Sequence, residues 1–105
     1  MTDQTREISL EEFASRHPDG LTVDVRERAE YTQAHVPGAV LVPMSQLTSR
    51  MDELDRSRTV HVVCASGGRS KAMTDVLVSA GFDAVSVAGG TQGWIDSGRH
   101  VEVGL

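Results

Sequence analysis

A chain of 105 residues holds one hydrophobic core, because two cores would each be too small to bury enough surface. A single domain over residues 1–105 is expected, with its folded core spanning about 5–100. A net charge of −5 excludes the basic footprint of a nucleic-acid binder, and a lone cysteine excludes an internal disulfide or a cysteine-based zinc site.

Ser9 followed by Glu12 fits a capping box, opening a short helix with Leu10 and Phe13 on one face. His17–Gly20 reads as a turn. Leu21–Val25 then reads as a short buried strand ending in the charged run Asp24-Val25-Arg26-Glu27. Helical spacing returns through Ala29–Ala34, Val36-Pro37-Gly38 breaks it, and Ala39–Val42 is a second short strand. Ser45 is placed to cap a helix that turns Leu47, Met51 and Leu54 inward. Thr59–Val63 is β-branched and nearly continuous, as expected of a central strand covered on both faces. Ser70–Ala80 sets Met73, Val76, Leu77 and Ala80 on one side, and Gly81 stops it. Ala84–Ala88 is another strand, followed by Gly89-Gly90 and a last helix over Thr91–Ser97. The alternation predicts an α/β fold: a mostly parallel central sheet with helices on both faces. Ligands of such sheets gather at the carboxyl ends of the strands, which singles out the segment after Val63.

That segment is Val60-His61-Val62-Val63-Cys64-Ala65-Ser66-Gly67-Gly68-Arg69-Ser70. Small residues and two glycines let the backbone curl tightly, turning successive N–H groups inward as an anion nest. The following helix aims its N-terminus at the same place. Arg69 adds a full charge and a fork of donors suited to oxyanions. A cysteine at the mouth of such a bowl is expected to ionise easily and to act as a nucleophile toward an anionic substrate. A lone cysteine at a strand end is more often a small buried hydrophobe, and a Gly-Gly pair is commonly just a turn. The coincidence of strand, cysteine, small loop, arginine and helix start in one stretch favours the reactive reading.

Cys64-Ala65-Ser66-Gly67-Gly68-Arg69-Ser70 resembles the active-site loop of the rhodanese family, and the resemblance runs over nearly the whole chain. Asp24-Val25-Arg26-Glu27 with Glu30-Tyr31 is similar to the family's early acidic–arginine segment. Ala34-His35-Val36-Pro37-Gly38-Ala39 is similar to its Gly-His-Ile-Pro-Gly-Ala signature, with Ala34 in place of the usual glycine. Gly89-Gly90 followed by Trp94 and Gly98 resembles its C-terminal signature. The fold implied is the small rhodanese domain. Cys64 to Arg69 spans six positions, which resembles the sulfurtransferases; the phosphatase branch carries one residue more, to encircle a larger phosphate.

The resemblance implies a two-step, ping-pong transfer without metal or cofactor. Cys64 takes the outer sulfur of thiosulfate or a similar small anionic donor, and the backbone of Ala65, Ser66, Gly67, Gly68, Arg69 and Ser70 holds the persulfide. Cyanide or a thiol, including that of a protein, then removes it. Arg69 either orients the donor or brackets the loop to a carboxylate such as Asp24. Asp24 and Arg26 either line the pocket wall or form an ion pair tying their strand to the active loop. Two rivals stay open: a phosphatase or arsenate reductase using the same thiolate and nest, and a persulfide-carrier module serving a partner protein.

Other residues read as structural. His35, a loop residue and so also a candidate general acid or base, is expected rather to bond a backbone carbonyl and fix the Val36-Pro37-Gly38 turn, and His61 to sit in the sheet. The four histidines show no ligand spacing. Trp94 is expected to pack the last helix, Met44, Met51 and Met73 to fill the core, and Lys71, also a candidate to add positive field for an anionic donor, to be solvated. No apolar run approaches the roughly 20 residues of a membrane span, and Met1–Glu7 lacks the layout of a secretory signal. A monomer in the cytoplasm is expected.

Overall fold

A computed structural model describes residues 5–105; the first four residues of the expected domain, and most of its polar N-terminal stretch, lie outside the described residues. The elements run β1 (Glu7–Ile8), α1 (Leu10–Arg16), β2 (Leu21–Asp24), α2 (Arg28–Gln33), β3 (Val40–Leu41), α3 (Leu47–Arg50), β4 (Val60–Val63), α4 (Gly68–Ser79), β5 (Ala84–Val87) and α5 (Gly90–Asp96). The strands form one sheet in the order β1-β5-β4-β2-β3, with every neighbouring pair parallel. The expected α/β architecture is present. Among the described residues no helix is long and apolar enough to cross a membrane.

β4 lies at the centre, and all four of its residues are buried, which is why its sequence is nearly continuous Val. Its odd and even positions face different layers. Val60, Val62 and Cys64 join Val23, Val25, Leu47, Leu54 and Leu77 under α3 and α4. Val63 joins Phe13, Tyr31, Val36, Val87 and Trp94 under α1, α2 and α5. Two apolar layers of the one core, one on each face of the sheet, hold the carboxyl end of β4, and with it Cys64, in the middle of the molecule.

Four sequence expectations are corrected by the structure. β1 was not expected; its two residues carry no readable alternation, and it exists because the Ser86 and Ala88 amides donate to the Arg6 and Ile8 carbonyls. Ser45 caps nothing: residues 44–53 form a 3-10 turn (Met44–Gln46), the four-residue α3 and a second 3-10 turn (Met51–Glu53), and Gln46 precedes α3 without a side-chain cap. Met44 is 39% exposed rather than core filler. Ser9 makes half of its capping box, accepting from the Glu12 amide at 3.1 Å, while the Glu12 carboxylate turns instead to Arg16 at 2.8 Å. A complete, reciprocal box opens α2, between Glu27 and Glu30.

Candidate active site

β4 ends at Val63, and the chain curls through Cys64–Gly67 into α4, whose first residue is Gly68. Gly67 supplies the turn: its φ of +126° lies where side-chain-bearing residues are strained. This rotation aims the Gly67 amide at the sulfur, donating to Cys64 Sγ at 3.1 Å. The Cys64 thiol in turn reaches Ser70 Oγ at 3.5 Å. Cys64 is 1% exposed. Burial pushes its thiol pKa up, but hydrogen bonds from the Ser70 side chain and the Ser70, Gly67 and Ser66 amides outweigh that, and the net shift is downward.

The outer side of the loop is held by α5. The Thr91 amide donates to the Cys64 carbonyl at 2.8 Å and the Gln92 amide to the Ala65 carbonyl at 2.9 Å. A trans peptide sends its N–H opposite its C=O, so anchoring the Ala65 carbonyl on α5 turns the Ser66 amide toward the sulfur. Gly90 makes this approach possible. A Cβ there would lie 2.6 Å from the Cys64 carbonyl oxygen and 2.8 Å from that of Ala65, and its φ is +57°. Gly89-Gly90 is therefore part of the loop's support, although it begins 25 positions after Cys64.

Arg69 does not bracket Asp24. Its guanidinium forms a bidentate pair with Glu30, both bonds 2.8 Å long. The Arg69 fork, with its Coulomb attraction adding to the Glu27 amide's hydrogen bond, outweighs partial burial and holds the Glu30 carboxyl down at about 2. Asp24 pairs with Arg26 instead, Nε and Nη2 reaching its two oxygens at 2.8–3.1 Å, and Arg26 Nη2 also donates to the Ala34 carbonyl at 2.8 Å. This buried pair ties the end of β2 to the segment after α2, not to the active loop as the sequence reading allowed. Arg26 does line a cavity of about 210 Å³ beside the loop, together with Glu30, Gln33, Ala65, Gln92 and Ile95; Asp24 does not.

The family model for the rhodanese-like domain matches residues 9–97, taking in the loop, its Glu30 bracket and its α5 support. The chain belongs to the rhodanese-like domain family. It is 32% identical over 102 residues to the Allochromatium vinosum protein named "Sulfurtransferase", covering 96% of this chain and 95% of that one. It is 36% identical over 92 residues to the Bacillus subtilis "Putative sulfur carrier protein YrkF", covering 84% of this chain; it spans only half of that longer protein. A rhodanese-related protein from Thermoplasma volcanium has the same fold, with a TM-score of 0.88 at 31% identity, covering 91% of this chain and 96% of that one.

Within this rhodanese-like domain the remaining candidates sit away from the sulfur. His35 is 4% exposed, stacks on Tyr31 at 3.7 Å and places Nδ1 2.8 Å from the Tyr31 carbonyl oxygen, fixing the exit of α2. Lys71 pairs with Glu7 at 3.6 Å, toward β1. Trp94 packs edge-on against Phe13 and donates to the His100 carbonyl at 2.7 Å. The sequence reading missed two residues that touch the loop's support. Glu30 carried a readable signal, since it completes a capping box with Glu27. Ser86 carried another: it is a polar residue on a strand whose other positions are apolar, and it lies 2.8 Å from Ser70.

Proposed function

We propose that the protein is a sulfurtransferase that carries a sulfane sulfur as a persulfide on Cys64. The observation that carries this reading is the inward-turned loop, with the Gly67 amide on Sγ at 3.1 Å and the thiol pKa drawn down. Cys64 thiolate attacks the outer sulfur of a thiosulfate-class donor, forming a new S–S bond. The donor's own S–S bond breaks, and its electron pair leaves with sulfite. The transferred sulfur is then a terminal anion, which the amides of Ser66, Gly67 and Ser70 are placed to receive like an oxyanion hole.

In the second step cyanide or a thiolate attacks that terminal sulfur, and the bond to Cys64 breaks, returning the thiolate. Every attacking and leaving group is an anion, so the cycle needs no proton shuttle, and the His35 ring places Nδ1 against the Tyr31 carbonyl instead. Arg69 serves as a bracket through Glu30, and the loop amides rather than its guanidinium meet the donor. The Bacillus relative named for sulfur carriage supports a protein thiol as the acceptor. The six-position span from Cys64 to Arg69 favours a single sulfur over a tetrahedral phosphate.

The test is an intact-mass spectrum after incubation with thiosulfate, before and after cyanide or a thiol. A gain of one sulfur that disappears with the acceptor, and is absent in Cys64→Ser, is expected. A protein that stays unloaded with every sulfane donor, while hydrolysing a phosphate ester, would overturn the reading.

A further inference from the structure

We propose that Ser86 is a positioning residue for Cys64, holding the Ser70 hydroxyl so that its proton turns onto Sγ when the sulfur is charged. The inference rests on Cys64 being the reactive sulfur. Ser86 and Ser70 are fully buried and Cys64 nearly so, and their side chains form a row: Ser86 Oγ to Ser70 Oγ 2.8 Å, Ser70 Oγ to Cys64 Sγ 3.5 Å. The sheet places them there. Ser86 is in register with Val62, so it faces α4 from among Val60, Val62 and Ala84, where an unpartnered hydroxyl would be costly.

Counting protons gives the row a direction. A hydroxyl has one proton to donate. Ser70 uses its own on the Gly67 carbonyl at 3.0 Å, so the bond between the two serines is donated by Ser86. Ser70 Oγ thus accepts from Ser86 on one side and from the Cys64 thiol on the other. When the thiol ionises, its proton is gone and Sγ becomes the strongest acceptor within reach of Ser70. The Ser70 proton swings from Gly67 to sulfur. The Gly67 carbonyl keeps a donor, because the Lys71 amide already reaches it at 3.2 Å, so the swing leaves no buried acceptor empty. Ser86 continues to donate to Ser70 throughout, and a hydroxyl that accepts a hydrogen bond is a stronger donor. The same arrangement serves the terminal anion of a persulfide.

The test uses the fact that the chain has one cysteine. The pH dependence of iodoacetamide alkylation, followed by intact mass, reports the ionisation of Cys64 alone. Ser86→Ala should raise the apparent thiol pKa by about half a unit. Ser70→Ala should raise it at least as much, and adding Ser86→Ala to it should do nothing further, because Ser86 acts through Ser70. Ser86→Thr, which keeps the hydroxyl, should restore the native value. An unchanged pKa in Ser86→Ala, an equal rise in the Ser70→Ala background, or a threonine variant matching the alanine one would overturn the proposal. The measurement is made on resting protein without a sulfur donor. Failure to load sulfur would therefore count against the sulfurtransferase reading and leave the Ser86 result intact.

Discussion

Arg69 and Glu30 meet fork to carboxylate, Nη1 on Oε1 and Nη2 on Oε2, both at 2.8 Å and across 39 positions of chain. Glu30 at the same time accepts the Glu27 amide at 3.0 Å, so one carboxylate both starts α2 and anchors the far end of the active loop.

That relationship makes Arg69 a bracket, and the consequence is measurable. Arg69→Ala should lower kcat/KM for thiosulfate and for an uncharged persulfide donor by similar factors, about ten- to a hundredfold, through loss of loop placement. Loss confined to thiosulfate would return Arg69 to the role of donor-binding group.

The bridge also carries a pH signature. The Glu30 carboxyl sits at about 2 in the folded protein against an ordinary 4.5, so its contribution is complete above about 4.5 and fades as pH falls through 2. Glu30→Gln should cost about 1 kcal/mol at pH 7, modest because the pair is about one-third exposed, and should match the native protein near pH 2. Denaturant titrations of both proteins across that range check it; a constant gap would refute the assignment.

His61 should give a second, higher acid window. It is 1% exposed, neither ring nitrogen makes a well-formed hydrogen bond among the described residues, and burial, outweighing a weak contact with the Leu21 backbone, pulls its pKa below the ordinary 6.5. The unfolded chain then binds the proton more readily, so stability is undiminished above about 6.5 and declines as pH falls below it. His17, whose pKa burial also lowers, adds to the decline. Thermal melts of His61→Leu should match the native protein at pH 7 and show a shallower loss between pH 6.5 and 5; an identical slope would sink the claim.

The glycines of the site separate into required and replaceable ones. Gly90→Ala would drive a Cβ into two carbonyls of the active loop and should cost about 2–3 kcal/mol along with most activity. Gly68→Ala meets nothing within 4 Å and has no positive φ, so it should leave the melting temperature unchanged or slightly raised at the first turn of α4. Melting curves and sulfur loading of the two variants, side by side, decide the matter.

By itself the sequence determined the strand–helix alternation, because side-chain periodicity is local: β4 reads as a buried Val-rich strand, and Met73 to Ala80 as one face of α4. It also pointed to the curl after Cys64, since small residues and glycines permit a tight turn and a positive φ that larger side chains resist. It did not reach the two-residue strand β1, too short to show a period, nor the broken helix around Leu47, where the inward positions of Leu47 and Leu54 survive a change of helix type. The tertiary structure alone decided the partners. Arg69 had several carboxylates to choose from, and only the folded sheet brings Glu30, rather than Asp24, within 2.8 Å of it. In the same way α5 meets the Cys64 and Ala65 carbonyls, and Ser86 meets Ser70, because parallel strands β4 and β5 lie side by side. Hydrogen bonds between segments distant in the chain depend on ångström-scale placement, and residue order encodes that only through the whole fold.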